Sequence, residues 1–506
     1  MDYLSLKEAP KREDRVHTCI TYGGTLCGLQ KRLGEGGGCF RDGSREFSQG
    51  SLCLLLPALA IINSFPDNVI IMHAAVGCGS CLQSQNGGAR SGNMLRTGKI
   101  KDSIWVSTSL NETDVISGGE KKLRQAIVEV DQLYSPKTIT IVTGCVPGII
   151  GDDVDGIVED LRSRVTAVLI PIHCEGFKTK TWATAYDAIY HGLGKNLLQD
   201  PARRDRVVTD ELEEARFEYL KKRRVNLCNL SSMGRIDELE LTRLLNALDL
   251  DVNIVPLFKD SEQMYSVKYA ALSVSTCPTH DDYFLKFLNE RFGIPYLFQH
   301  IPIGIENTTS WIRAVAPFFG KEAAAEQLIH YETALLEEAL KPYREFFKGK
   351  TAFVSAGEFR SIATAYLLHE LGFTIVGVRP FHYDAFAEKE FEKLKNAAGD
   401  IPLNIANVQP FEEANLLRSL KPDLFMGHSH GNATAAKLGI PVHTIFNSSC
   451  SYIGFRGVFE IARRVYRQLS NPSLNRKFPK YIKLPYKESW YQENPFKYIK
   501  DSKDES

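Results

Sequence analysis

The chain carries no excess of either charge. Its 61 lysines and arginines are matched by 61 aspartates and glutamates, so the formal net charge is zero. A general nucleic-acid binder shows a basic surplus, and none exists here, so no nucleic-acid partner is expected. Cysteine is scarce, at 11 in 506 residues, and the odd number leaves at least one outside any disulfide. That excludes a disulfide-stapled scaffold. The opening MDYLSLKEAPKREDRVH lacks the apolar core of a signal peptide, so a cytoplasmic protein is expected. Long apolar runs are few as well. The uncharged stretch Phe47–Pro66 is interrupted at Pro57 and flanked by Ser, Gln, Gly and Asn. A membrane helix needs about 20 mainly apolar residues, so this stretch reads as a buried segment and no membrane partner is expected. Phosphate motifs are missing too. Gly349-Lys350-Thr351 has Arg344 where a P-loop has its leading glycine, and Gly192-Leu193-Gly194 lacks the third glycine of a dinucleotide fingerprint.

What is present is alternation. Short β-branched runs at Val69–Met72, Thr138–Thr143, Ala167–Ile172, Val225–Leu230, Asn253–Phe258, Ala270–Ser275, Ala352–Val354, Thr374–Val378, Leu424–Met426 and Val442–Phe446 read as strands. Amphipathic stretches such as Glu120–Leu133, Tyr283–Phe292, Lys321–Ala339 and Ile362–Leu371 lie between them. Repeated strand–helix alternation predicts an α/β protein with parallel sheets. Charged gaps near Arg203–Arg224 and Lys341–Lys350 divide it into three blocks. The expected organisation is a loosely structured arm (1–49), α/β domains at 50–215, 220–345 and 348–470, and a tail (471–506) packed on its own domain or on a partner subunit.

In open parallel sheets, ligands bind beyond the carboxyl ends of the strands. Cys145 ends the run TITIVTGC, Cys174 ends AVLIPIHC, Cys277 follows ALSVST, and Cys78 lies just past VIIM. Structural cysteines sit more often inside a strand as small apolar residues. Thiolates gathered at strand tips point to a metal site, an iron–sulfur cluster or redox chemistry. Cys78-Gly79-Ser80-Cys81 has the spacing of a redox pair without its usual aromatic context, and no second CxxC supports classical zinc. Single cysteines dozens of residues apart suit a large cluster assembled from several loops. His428-Ser429-His430 is a weaker candidate for metal, since two histidines in a polar loop are more often solvated.

These segments resemble the α-type subunits of nitrogenase component 1 and their relatives, over roughly residues 47–481. SQGSLC (Cys53), HAAVGCG (Cys78) and TGCVPGIIGDD (Cys145) are similar to the three-cysteine set that holds half of a P-cluster, and ETDVISGGEKKL is α-like. STCPTHDDYF resembles the segment whose cysteine, here Cys277, ligates the active-site cofactor. PVHTIFNSSCSYIGFRG resembles the segment supplying the cofactor's histidine, for which His443 is the candidate and Cys450 the rival. The resemblance implies three Rossmann-like parallel-sheet domains with metal clusters between them. It also implies an 8Fe–7S P-cluster-type cluster shared with a β-type homologous subunit, and a nitrogenase-type iron–sulfur cofactor. The implied assembly is an α2β2 heterotetramer served by a separate ATP-dependent, homodimeric iron protein.

The chain departs from that pattern where dinitrogen-reducing members place a Gln and a His beside the cofactor. Counting from Cys174-Glu175-Gly176-Phe177, those places hold Trp182 and Tyr186. An unperturbed His, near pKa 6.5, is a plausible proton donor at neutral pH, whereas Tyr titrates near 10. Arg360, in GEFRS, matches a family arginine near the cofactor. The resemblance therefore implies a nitrogenase-like reductase with an altered pocket, of the methylthio-alkane reductase type, which cleaves C–S bonds of small thioethers to methanethiol and a hydrocarbon. In that reading Tyr186, Trp182 and Arg360 serve the reaction. A cofactor-assembly scaffold and a dinitrogen-reducing α subunit are the alternatives.

Overall fold

The computed structural model describes residues 5–34, 44–50, 53–82, 86–100, 103–199, 211–228, 234–298, 300–427, 429–445 and 450–500. Its strands in chain order are β1 (Thr21–Thr25), β2 (Ser44–Arg45), β3 (Asn68–His73), β4 (Ile104–Ser107), β5 (Thr138–Thr143), β6 (Val168–His173), β7 (Arg224–Cys228) and β8 (Asp251–Val255). They continue as β9 (Leu272–Ser275), β10 (Tyr296–Leu297), β11 (Thr351–Ala356), β12 (Thr374–Pro380), β13 (Pro402–Ala406), β14 (Leu424–Gly427), β15 (Val442–Thr444) and β16 (Ile499–Lys500).

Three larger sheets and the two-stranded β16-β2 pair result. The first has the order β4-β3-β5-β6 and the second β10-β9-β7-β8, both parallel throughout. The third, β1-β13-β12-β11-β14-β15, is parallel except where β1 runs antiparallel to β13. Strands β3 and β5, NVIIMH and TITIVT, are buried at every position. That is how β-branched runs covered on both faces behave. The crossover helix Glu120–Tyr134 buries Leu123, Ile127 and Val130 on one stripe and stops at Ser135, whose φ is 44°. One hydrophobic core runs through all three sheets, including Ile70, Leu227 and Val354. Among the described residues no helix is long and apolar enough to cross a membrane, and Leu55–Ile62 is a short buried helix.

Two segments have more structure than the sequence suggests. The charged gap at Lys341–Lys350 is mostly the end of a 26-residue helix, Glu322–Phe347, which continues through Pro342. Its charges lie on a solvated face, and the helix stands in the chain between the second sheet's last strand, β10, and β11 of the third. The loose arm is not loose over its described residues. β1 extends the third sheet at one edge, and Arg12, in the short helix Arg12–Arg15, is completely buried. Three aspartates hold it there. The tail packs on its own chain: Trp490 Nε1 donates to the Phe411 carbonyl at 2.9 Å, and β16 pairs with β2.

Candidate functional site

Cys53 and Cys145 are neighbours at the carboxyl end of the first sheet, and Cys78 lies on the helix that follows β3. Cys145 opens the helix Cys145–Ile150 directly after β5, Cys78 lies in the helix Val76–Leu82 after β3, and Cys53 precedes Leu55–Ile62. Gly144 is needed at this turn, because a Cβ there would stand 2.9 Å from the Ala74 Cβ. Burial raises the Cys53 thiol pKa, and neighbouring Cys145 raises it further. Cys174 is pushed well above the usual thiol range by burial, then by Glu175, Cys53 and Cys145. Cys53, Cys145 and Cys174 are therefore close neighbours. Cys53 and Cys145 are exposed while Cys174 is buried. The surface beside them is apolar: Ile116 is 88% and Ile149 69% exposed. Exposed thiols at strand tips within an apolar rim are donors suited to an iron–sulfur group at the edge of a subunit.

The two glycine-bearing motifs of this region are physically joined. The Gly119 N–H donates to Asp152 Oδ1 at 2.9 Å, and the Asp153 N–H to Glu120 Oε1 at 3.1 Å. A Cβ at Gly119 would meet Asp152 Oδ2 at 2.5 Å. Asp152 also bonds His73 Nε2 at 2.9 Å, so the ends of β3 and β5 and the start of Glu120–Tyr134 are held by one carboxylate.

The second cluster of residues surrounds Cys277. This cysteine ends the loop after β9 and caps the helix Pro278–Phe292, whose proline sits at the first turn. Asp281 fastens the loop, accepting from Ser275 Oγ at 2.7 Å and the Thr276 N–H at 3.0 Å. Burial pushes the Cys277 thiol up to about 12, against the pull of Arg360 and the N–H groups of His280 and Thr279. Arg360, on the helix Glu358–Glu370, is buried; that lowers its pKa, while Cys277, Tyr452, Asp237 and Tyr186 act to keep it charged. The Tyr186 ring lies 4.3 Å from His280 and 5.9 Å from Trp182, and Trp182 lies 6.3 Å from Phe381. Trp182 Nε1 is buried with no hydrogen-bond partner. The structure thus brings together Cys277, Arg360, Tyr186 and Trp182. His280 and Tyr452 complete the group; sequence reasoning missed them, although His280 stands three residues past the cysteine.

His443 and Cys450 form a neighbouring pair of candidates. Burial and Arg464 lower the His443 pKa to about 4, so the ring is neutral, and its Nε2 is buried without a partner. Burial pushes Cys450 up to about 11. Both sense Arg464 and Glu460 of the helix Gly454–Ser470, and Cys450 also senses Asp237, the aspartate near Arg360. Both remain candidates for a second ligand opposite Cys277. A buried thiol, a neutral imidazole with an open nitrogen and a nearby guanidinium suit an iron–sulfur cofactor. His428 and the side chains of His430 and Cys81 lie outside the described residues.

Comparisons with known proteins bear on the chain as a whole. The nitrogenase iron-molybdenum cofactor biosynthesis protein NifE of Methanococcus maripaludis is 26% identical over 427 residues, covering 83% of each chain. The nitrogenase molybdenum-iron protein alpha chain of Methanosarcina barkeri is 25% identical over 489 residues, covering 84% of this chain and 86% of that one. The solved structure of nitrogenase Cp1 at pH 5 shares the fold, with a TM-score of 0.67 and 21% identity over 88% of this chain and 92% of that one. Residues 53–470 match the family described as nitrogenase component 1 type oxidoreductase, and the chain belongs to that family.

Proposed function

We propose that the chain is the catalytic, α-type subunit of a nitrogenase-like reductase that cleaves C–S bonds of small methylthio-alkanes. One observation carries this reading: an aromatic group, Trp182, Tyr186 and Phe381, stands beside Cys277 and Arg360. Neutral thioethers offer little to hydrogen-bond, and an apolar wall with few polar groups suits them. Cys53, Cys78 and Cys145 would hold half of a P-cluster-type group shared with a β-type subunit, whose binding would cover the apolar rim at Ile116 and Ile149. Cys277, with His443 or Cys450, would hold the active-site cofactor. When bound, these groups supply electrons delivered singly by an ATP-dependent iron protein. In this chain Trp182 and Phe381 exclude water, Arg360 donates to the bound group, and the Tyr186 hydroxyl holds the proton passed to the leaving fragment.

The test is turnover of 2-methylthioethanol by the anaerobic complex with its iron protein, ATP and reductant. With two electrons and two protons it gives methanethiol, ethylene and water. Absence of ethylene sinks the substrate assignment. A second reading, a cofactor-assembly scaffold, draws support from the relatives named for cofactor biosynthesis. A scaffold would transfer its cluster to a cofactor-free acceptor and show no multi-electron turnover.

A further inference from the structure

A further group of chemistry-bearing side chains, using none of the cysteines, lies at the carboxyl ends of the neighbouring strands β11 and β12. Glu358 is the first residue of the helix that follows β11, and His382 and Asp384 lie in the loop after β12. All three are completely buried. One ligand atom from each lies within 4.8 Å of the others. We propose that Glu358, His382 and Asp384 form a binding site for a divalent first-row metal ion.

Unpartnered polar atoms argue for it. Glu358 Oε1 accepts the Asp384 N–H at 2.6 Å, but Oε2 has no hydrogen-bond partner, and neither does either ring nitrogen of His382. His382 Nε2 stands 3.5 Å from Asp384 Oδ2. Buried polar atoms without partners are costly, and three in one cluster call for a missing neighbour. His382 Nε2 faces Asp384 Oδ2, which leaves Nδ1 and Glu358 Oε2 as the atoms with no partner near them. A cation satisfies Oε2 and one imidazole nitrogen together. Carboxylates and an imidazole are the donor mixture of Mn2+, Fe2+ and Zn2+ sites. Such ions bond at roughly 2.0–2.2 Å, so a small rotation of Glu358 and His382 closes the set.

The neighbouring carboxyls are already served: the guanidinium groups of Arg12 and Arg15 pair with Asp187, Asp282 and Asp384, and Lys286 stands 3.6 Å from Asp282. Glu358 forms no such ion pair among the described residues. Asp384 Oδ2 accepts from both Arg12 Nε and Nη2, whereas Oδ1 accepts from Thr18 and keeps capacity for a further bond. An ion here would clamp the start of the Glu358–Glu370 helix, which presents Arg360 to the Cys277 pocket from a different face, roughly 200° around the helix.

The test uses the full complex isolated anaerobically from cells supplied with Mn2+. Manganese, cobalt and zinc are counted by mass spectrometry, and bound Mn2+ is examined by electron spin-echo spectroscopy. The expected result is about one such ion per chain with a histidine nitrogen coupled to Mn2+, and at least a tenfold loss of that ion in both Glu358→Gln and His382→Gln with cluster iron unchanged. Parent protein with less than about a tenth of an ion per chain, no nitrogen coupling, or undiminished metal in both variants overturns the proposal. The nitrogen coupling in the parent decides the matter even where a variant fails to fold.

Discussion

Arg12 Nη2 donates to Asp384 Oδ2 at 2.9 Å with neither side chain reaching solvent, and this contact ties the N-terminal segment to the third sheet. The same guanidinium reaches Asp187 at 3.0 Å and Asp282 at 3.3 Å, on helices packed against the first and second sheets. One residue therefore joins elements of all three sheets. Removing it strands buried carboxylates, and breaking such a pair costs about 3–5 kcal/mol. Arg12→Ala is expected to lose that much in equilibrium urea unfolding. A loss below about 1 kcal/mol would show that the carboxyls simply take up protons.

His173 gives a pH signature. Burial opposes its charge, but hydrogen bonds to Asp155 and Glu175 outweigh it and raise the pKa to about 9. A raised folded pKa contributes stability that is full below the ordinary value of 6.5 and lost as pH climbs through 9. The difference corresponds to at most roughly 3 kcal/mol. Thermal midpoints of the parent should fall between pH 6.5 and 9, whereas His173→Gln should be nearly flat across that window. Parallel profiles for the two proteins would remove His173 as the cause.

Cys277 must lose its proton to hold a metal, and burial pushes its thiol up to about 12. His443, near 4, is already neutral at every working pH and releases nothing. Metal affinity at Cys277 should therefore rise about tenfold per pH unit between pH 6 and 9. Co2+ titration of cofactor-free complex reads this as thiolate charge-transfer absorption, with Cys277→Ala subtracting the other cysteines. A pH-independent difference would mean that Arg360 already holds the thiolate. In protein loaded with its natural groups, Cys277→Ala should lose the cofactor's EPR signal and keep that of the three-cysteine site.

The sheets were legible because their strands are β-branched runs buried on both faces, and TITIVT forms a strand over its full predicted length, Thr138–Thr143. The cysteines were legible because parallel strands deliver their next residue to the ligand-binding edge. β1, TYGGT, was not, because two glycines give it little strand propensity and its pairing with β13 is set by tertiary contact. The Arg12 hub had no local signal. REDR reads as a solvated helical turn, and its three aspartates stand 175, 270 and 372 residues away. His382-Tyr383-Asp384 just past a strand was visible in principle, but Glu358 joins it only through the pairing of β11 with β12.

Trp182 and Tyr186 separate the two readings of the pocket. The rings meet edge to face at 5.9 Å, and Tyr186 also lies against His280 and near Arg360. If Tyr186 passes a proton during turnover, Tyr186→Phe keeps the ring packing and removes only the hydroxyl. General acid catalysis is worth roughly 100- to 10,000-fold, so kcat for thioether cleavage should fall by about that range with KM little changed. Trp182→Gln should act differently. It opens the apolar wall to water and weakens thioether binding, raising KM about tenfold or more, because losing a buried aromatic contact is worth at least 1–2 kcal/mol. A scaffold needs neither group for chemistry, so both variants would then transfer their cluster as well as the parent does. Equal kcat and KM in all three proteins would mean the two aromatics only fill the core between the Cys277 helix and Phe381.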